Sequence, residues 1–389
     1  VVSSPSFAQM RKHNIDVVLK TVRSTPGISR AEVAKEAGLS KATVSEITDA
    51  LLKNLVLHET GAKASSGGRP AVGLVFNPFV GHTLGISLDE TSVGISLLDL
   101  DGNICTERRS KFKSNWKAAE ANTFLMDALK AMLAETHSSE RGILAMGIGI
   151  PGPVDADERE RSMHGKYGQA IEMLKKEIGG PFVVDSNTNM AAIAAAHELQ
   201  PRESGLVLVV RLGHQVRTAL LVDGKILSGS GGLAGELGHI AVPDNHAHCR
   251  CGMTGCINTL AGIGEMLERC IRAGLAADSF DDLVTLCQSG NIDAQRIVQE
   301  AGEAVGFGIS SAINLAAPHV VLVSGPATAA QNFIFNPLLE TMEKRCVPGN
   351  LKRCKVITEP ADTRTECYGA GIVALETYVD VSALVQRAG

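Results

Sequence analysis

The 389-residue chain is 44% hydrophobic and 20% charged, a balance that supports two or three packed domains and excludes a disordered chain. Aromatic residues contribute only 4%, which argues against base-stacking platforms for single strands, and no run of about eighteen apolar residues is present to span a bilayer. The formal charge of −5 is uneven, +4 over residues 1–70 and −9 over the remainder, which suits a polyanion contact at one end of an acidic body.

Residues 1–80 read as a winged helix-turn-helix domain. Ile15, Val18, Leu19 and Val22 recur at helical spacing. Pro26-Gly27 ends that helix. Ser29 and Glu32 form a capping-box pattern that opens a second helix. Gly38-Leu39-Ser40 is a turn of the length that joins helix-turn-helix pairs, and Ser40 caps a third helix with Val44, Ile47 and Leu51 facing inward. Its outer N-terminal face carries Ser40, Lys41, Ala42, Thr43, Ser45 and Glu46, the positions that reach base edges in a major groove. A plain helical bundle with a solvated face is the alternative. The following stretch, "HETGAKASSGGRPAVGLVFN", weighs against that alternative: it reads as strand, polar loop, strand, a wing. Gly67 and Gly68 let that loop approach closely, and Arg69 suits a narrow minor groove; an ordinary loop salt bridge is the competing role for Arg69. Double-stranded operator DNA is therefore an expected partner.

The body alternates strand-like and helix-like runs. "HTLGISLDETSVGISLLDLDG" predicts a hairpin with a third strand to follow, "NWKAAEANTFLMDALKAMLAETH" a helix, and "ILAMGIGIPGPVD" a buried strand ending in a turn. "PFVVDSNTNMAAIAAAHEL" reads as strand, turn and helix, and "GLVLVVRLGHQVRTALLVDGKIL" restarts the pattern after residue 200. The expected architecture is two α/β lobes, 81–200 and 201–366, the first rejoined by a C-terminal helix from about 367 to 389.

Of nine cysteines, only Cys249, Cys251 and Cys256 cluster. Cys105, Cys270, Cys287, Cys346, Cys354 and Cys367 are scattered through apolar or helical contexts, as in a reduced protein. With no signal-peptide pattern in "VVSSPSFAQMRKHN", a cytoplasmic location without membrane insertion is expected. Three thiolates and one imidazole satisfy tetrahedral zinc, and four protein ligands leave no open position, so the expected cofactor is structural zinc. His239, His246 and His248 all compete for the fourth position.

Several of these stretches resemble the repressor, open reading frame, kinase (ROK) family, in particular its transcriptional-repressor branch. The carriers are "SSGGRPA", "GIGIPGPVD", "GLAGELGHIAV", "CRCGMTGC" and "INLAAPHVVLVSG", and the likeness covers nearly the whole chain. It implies an α/β two-lobed actin/hexokinase-like body behind the winged helix-turn-helix domain. It selects His239, with Cys249, Cys251 and Cys256, as the metal ligands. It also implies a sugar pocket at Asn187, Thr188, Glu236, His239 and Asn258. Two of these depart from the family's sugar-binding pattern: Thr188 stands where kinases carry a catalytic Asp, and Asn258 where a Glu is usual.

The family's kinases also have two glycine-bearing phosphate loops. Here the matching stretches are "SLDETSV", Ser87–Val93, and "RLGHQVRTA", Arg211–Ala219, largely without glycine. A threonine hydroxyl is no base near neutral pH, and Asp185 lies three residues upstream of Thr188. No catalytic activity is therefore expected. The resemblance implies a DNA-binding regulator of carbohydrate-related genes, sensing a sugar or sugar-phosphate inducer as a homodimer or homotetramer. The alternatives are a divergent sugar kinase, or a regulator controlled by a protein partner with no small-molecule inducer.

Overall fold

The computed structural model describes residues 6–62, 72–112, 116–135, 141–152, 154, 165–199, 205–358 and 364–386. At the N-terminus, α1 (Phe7–Ser24) buries Ile15, Val18, Leu19 and Val22, the four apolar positions read from the sequence. Strand β1 (Ile28–Ser29) leads into α2 (Arg30–Ala37), which opens with the Ser29/Glu32 capping box and ends at Gly38, φ 66°. That left-handed conformation suits glycine and stops the helix. Ser40 then caps α3 (Lys41–Lys53), accepting a hydrogen bond from the Thr43 N–H at 3.1 Å.

Strands β2 (Leu57–Ala62) and β3 (Val72–Phe76) pair antiparallel, and β3 lies between β1 and β2. These are the two strands expected on either side of the loop. The loop positions Gly67, Gly68 and Arg69 lie outside the described residues.

The body holds two five-stranded sheets of identical topology. In the first, β4 (His82–Leu88), β5 (Ser92–Leu98), β6 (Ile104–Lys111), β7 (Ile143–Ile150) and β8 (Phe182–Ser186) take the order β6-β5-β4-β7-β8. In the second, β9 (Leu206–Leu212), β10 (Val216–Val222), β11 (Lys225–Ile226), β12 (Val320–Ser324) and β13 (Lys355–Thr358) take the order β11-β10-β9-β12-β13. Each is an antiparallel three-strand meander extended by two parallel strands. The repeat of one arrangement in two lobes is the actin-like α/β body expected from the sequence.

On the first sheet, α4 (Ala118–Glu135) and α5 (Gly165–Ile178) cover one face. Helix α6 (Asn187–Leu199) follows β8 but packs on the second sheet, Ala192 and Ala195 lying among Val207, Val209, Ala219, Leu221, Val320 and Leu322. The other face of the second sheet is covered by a helical layer: α7 (Asn258–Ala261), α8 (Ile263–Arg272), α9 (Phe280–Gln288), α10 (Ile292–Ala316), α11 (Asn332–Arg345) and α12 (Pro348–Arg353).

Helix α13 (Arg364–Tyr378) returns to the first lobe and packs on β4, β5 and β7. Gly85 and Gly147 make this approach very close: a Cβ at either would lie 1.8 Å from the Cys367 carbonyl oxygen or 1.9 Å from that of Ala370. The short α14 (Ala383–Gln386) follows. The layers at the molecule's centre are thus first sheet, α13, α6 and second sheet. Helices cover both faces of each sheet, so the inner strands are buried throughout.

The head rests on this body. Val379, Val381, Leu384 and Val385 join Ile15, Leu19 and Val22 in one apolar cluster. Lys12 pairs with Asp380 at 2.6 Å, and Arg23 donates to the Leu100 carbonyl at 2.9 Å.

Candidate ligand cleft and metal cluster

On α3, Lys41, Ala42, Glu46 and the cap Ser40 are exposed, and Thr43 and Ser45 are half-buried. Ser45 receives a hydrogen bond from Arg30 at 3.4 Å, and Arg30 also pairs with Asp49 at 2.6 Å and Glu59 at 3.2 Å. That arginine ties α2, α3 and β2 together, so the orientation of the α3 face depends on the rest of the head.

The cluster of His239, Cys249, Cys251 and Cys256 comes together as its spacing suggests, with one donor atom from each lying within 4.8 Å of all the others. His239 ends a short turn, Leu237–His239. Cys249 and Cys251 sit on a loop closed by the hydrogen bonds Cys249 N–H to Met253 O and Gly252 N–H to Cys249 O. Buried Cys256 is held by its bridge to Ala241. His239 Nδ1 lies 3.6 Å from Cys249 Sγ, and Cys251 Sγ lies 3.7 Å from Cys256 Sγ. Donors around a tetrahedral zinc ion stand roughly 3.5–3.8 Å apart, given its bond lengths, so the four residues could hold such a metal. His246 and His248 are exposed outside the cluster. Burial pushes the Cys256 thiol up to about 12, so its thiolate needs a cation beside it. The opposite ring nitrogen, His239 Nε2, faces Glu236 at 3.6 Å, the kind of carboxylate that orients a ligating imidazole.

A cavity of about 280 Å³ opens between the lobes, lined by Asp89, Tyr167, Asn187, Thr188, Arg211 and Arg217 among others. A smaller recess shares Thr188 and Arg217 with it and contains Glu236. Asn187 begins α6; its Nδ2 donates to the Leu88 carbonyl at 3.0 Å and its Oδ1 accepts from Ser87 Oγ at 3.2 Å. Thr188 is buried beside it. Asp185 Oδ1 accepts from the Ser186 N–H at 2.6 Å and from Asn189 Nδ2 at 2.9 Å. Glu236 lies 3.5 Å from Arg217.

Asn258 is buried, and its Oδ1 accepts the Val216 N–H at 2.7 Å. That bond ties α7 to β10. The chain's single tryptophan, Trp116, is buried behind the cleft-lining Tyr167. Its Nε1 donates to the Asp89 carbonyl at 3.0 Å, and its ring meets Tyr167 edge-on at 5.5 Å.

Sequence reasoning missed the group that binds the lobes together. Arg211 leaves the end of β9 and reaches across the cleft, pairing with Asp89 at 2.9 Å and with Glu366 through its Nε at 2.5 Å. Glu366, in the first turn of α13, also accepts from Ser87 Oγ at 2.8 Å. Burial works against the Arg211 charge, but Glu366 and Asp89 outweigh it and hold its pKa above the ordinary value. Burial raises the Glu366 pKa, against the pull of Arg211. The stretches Ser87–Val93 and Arg211–Ala219 are therefore clasped to each other by an internal ion pair.

Together these features define a two-lobed, actin-like α/β body with a helical head at its N-terminus and a Cys/His cluster beside the interlobe cleft. The ROK family model matches residues 83–376, and the chain belongs to the ROK family. The xylose repressor of Bacillus spizizenii is 22% identical over 375 residues, covering 96% of this chain and 97% of its own. A crystal structure of a ROK family transcriptional regulator, a homologue of the E. coli MLC protein, aligns with a TM-score of 0.72 at 22% identity, over 97% of this chain and 98% of its own. The ROK hexokinase from Thermus thermophilus aligns at TM-score 0.61 and 22% identity over 98% of its own chain but 75% of this one. Among the described residues, no helix is long and apolar enough to cross a membrane.

Proposed function

We propose that this chain is a DNA-binding transcriptional regulator, in its simplest form a repressor of carbohydrate-related genes. Its ROK body senses a sugar or sugar-derived ligand and has no phosphoryl-transfer activity. The observation that carries this reading is the Arg211–Asp89 ion pair across the cleft. Phosphoryl transfer needs backbone cradles for the phosphates and a carboxylate base at the accepting hydroxyl. Here the first are closed on one another, and Thr188 with its engaged neighbour Asp185 supplies no base. The likeness to a repressor over almost its full length, against one to a hexokinase that leaves a quarter of this chain unmatched, supports the same reading.

In this reading, the N-terminal face of α3 from Ser40 to Glu46 lies in the major groove, and Gly67, Gly68 and Arg69 approach the minor groove. Asn187, Thr188 and Glu236 face the ligand, with His239 and Asn258 forming the wall behind them. Zinc held by His239, Cys249, Cys251 and Cys256 keeps that wall in shape without touching the chemistry. Two copies of the chain read a palindromic site, whose spacing is sensitive to any change in how the heads are held. The ligand acts by binding one arrangement of the lobes more tightly than the other.

The test has two arms. Selection of duplexes from a random pool should yield a two-fold symmetric site. A panel of sugars and sugar phosphates, titrated against Trp116 fluorescence, should contain a ligand that changes affinity for that site. Steady turnover of Mg-ATP with any sugar would favour the divergent kinase instead. A symmetric site with no fluorescence or affinity response from the panel would favour control by a protein partner.

A further inference from the structure

The ion cluster at Arg211 brings three separate parts of the chain to one point: the β4–β5 turn through Asp89, the end of β9 through Arg211, and the start of α13 through Glu366. It is buried, with side-chain exposures of 11% for Arg211 and 4% for Glu366, rising to 18% for Asp89 at the cleft. A guanidinium is planar and reaches two carboxylates at once. Beside it His214 Nδ1 lies 3.3 Å from Glu90 Oε2 at the more exposed mouth of the cleft, and deeper in, α6 and α13 cross closely enough that a Cβ at Gly369 would lie 1.8 Å from the Met190 carbonyl oxygen. Lying between the two sheets, this crossing is the pivot for any change of angle between the lobes. Side chains that bridge the lobes away from the pivot resist such a change.

The head belongs to one side of that pivot. Helix α13 spans 15 residues, about 22 Å at 1.5 Å per residue. Gly85, Gly147 and the hydrogen bond from Thr83 Oγ1 to Gly371 O at 3.2 Å hold it against the first sheet. At its far end Tyr378 donates to the Phe182 carbonyl at 2.8 Å, and the residues that follow enter the core of the head. First sheet, α13 and head are thus packed as one body, and α6, which runs on from β8, packs between α13 and the second sheet.

We propose that Arg211 is an interlobe latch: by bridging Asp89 and Glu366 it sets the angle between the second lobe and a rigid unit made of the first lobe, α13 and the head. The side chain fills with its own cation the ground between the two former phosphate stretches, and it lines the ligand cavity. A ligand there shares partners with the latch and so acts on the lobe angle directly. The head does not hinge by itself; it is carried.

Hydrogen–deuterium exchange on the full chain, without DNA or sugar, tests the latch separately from the regulator reading. In Arg211→Met, amides of residues 87–93 and 211–219 should both exchange at least ten-fold faster, while α1 and residues 376–386 keep their wild-type rates. Arg269→Met, which removes a different ion pair, to Glu300 within the second lobe, should leave both cleft stretches unchanged. Asp89→Asn weakens one arm of the bridge, keeps Glu366 paired and serves if Arg211→Met does not fold; it should act in the same direction on both stretches. Faster exchange confined to 211–219, or no change in Asp89→Asn, overturns the latch. Equal acceleration in the head overturns the rigid unit. Failure of these tests leaves operator selection untouched, and failure of operator selection leaves them untouched.

Discussion

The Arg211 guanidinium, on the second sheet, lies 2.9 Å from the Asp89 carboxylate, on a turn of the first. The pair joins the stretches Ser87–Val93 and Arg211–Ala219 across the cleft. Its energetic weight follows from burial, since removing one member leaves the remaining charges without compensation. Arg211→Met should therefore destabilise the body by about 3 kcal/mol, read as a lower urea midpoint. Replacing Arg269 in the same way should cost less, because Glu300 is 37% exposed and water can solvate it once unpaired.

The same pair limits what a single substitution can restore. Thr188→Asp places a carboxylate at the start of α6, yet Ser87–Val93 and Arg211–Ala219 stay clasped. The variant should show no sugar-dependent ADP release above background with Mg-ATP. Turnover in Thr188→Asp would mean that the clasp opens readily enough to admit a nucleotide.

For the metal cluster, purified chain should carry close to one zinc per molecule by elemental analysis. Cys251→Ser should lose it and lower the melting temperature, since a structural zinc contributes directly to folding. His246→Ala and His248→Ala should retain the metal, because both rings lie outside the cluster. Loss of zinc in either variant would reassign the fourth ligand.

In the head, Lys41→Ala and Thr43→Ala should change which duplexes are selected, whereas Arg69→Ala should weaken binding most at sites with A·T-rich flanks. Contacts to base edges specify sequence, and contacts to the backbone and the narrow groove add affinity and shape preference. Unchanged selection with Lys41 and Thr43 replaced would remove α3 as the reading element.

The head–body contact should respond to acid. Lys12 and Ser382 lower the Asp380 pKa against the opposing effect of burial. A carboxylate with a lowered folded pKa adds stability above its unfolded pKa, and that stability is lost as pH falls through the folded one. Between about pH 5 and pH 3, amides of α1 and residues 376–386 should lose protection in wild type. Asp380→Asn should show weaker protection at neutral pH and a flatter acid response. Parallel curves for the two proteins would assign the acid sensitivity to another group.

Much of the fold was legible because its signals are local. The Ser29/Glu32 box, the stop at Gly38 and the Ser40 cap each need only residues within one helical turn, and all three form as the sequence implies. The restart of strand-like runs after residue 200 announced a second lobe, and the two sheets share one order. Three thiols within eight positions suggested a metal cluster for the same reason: a short loop brings its own ligands together at little entropic cost.

By itself, then, the sequence determined the helices and caps of the head, the pairing of two α/β lobes and the cysteine cluster. Only the tertiary structure decided that Asn258 turns its carboxamide oxygen to the Val216 N–H, and that Arg211 meets Glu366 155 positions away. The physical reason is range. Caps, turns and spacings are settled by neighbours along the chain. A buried ion pair between lobes exists only after both sheets, and the helix that returns from the C-terminus, have closed around it.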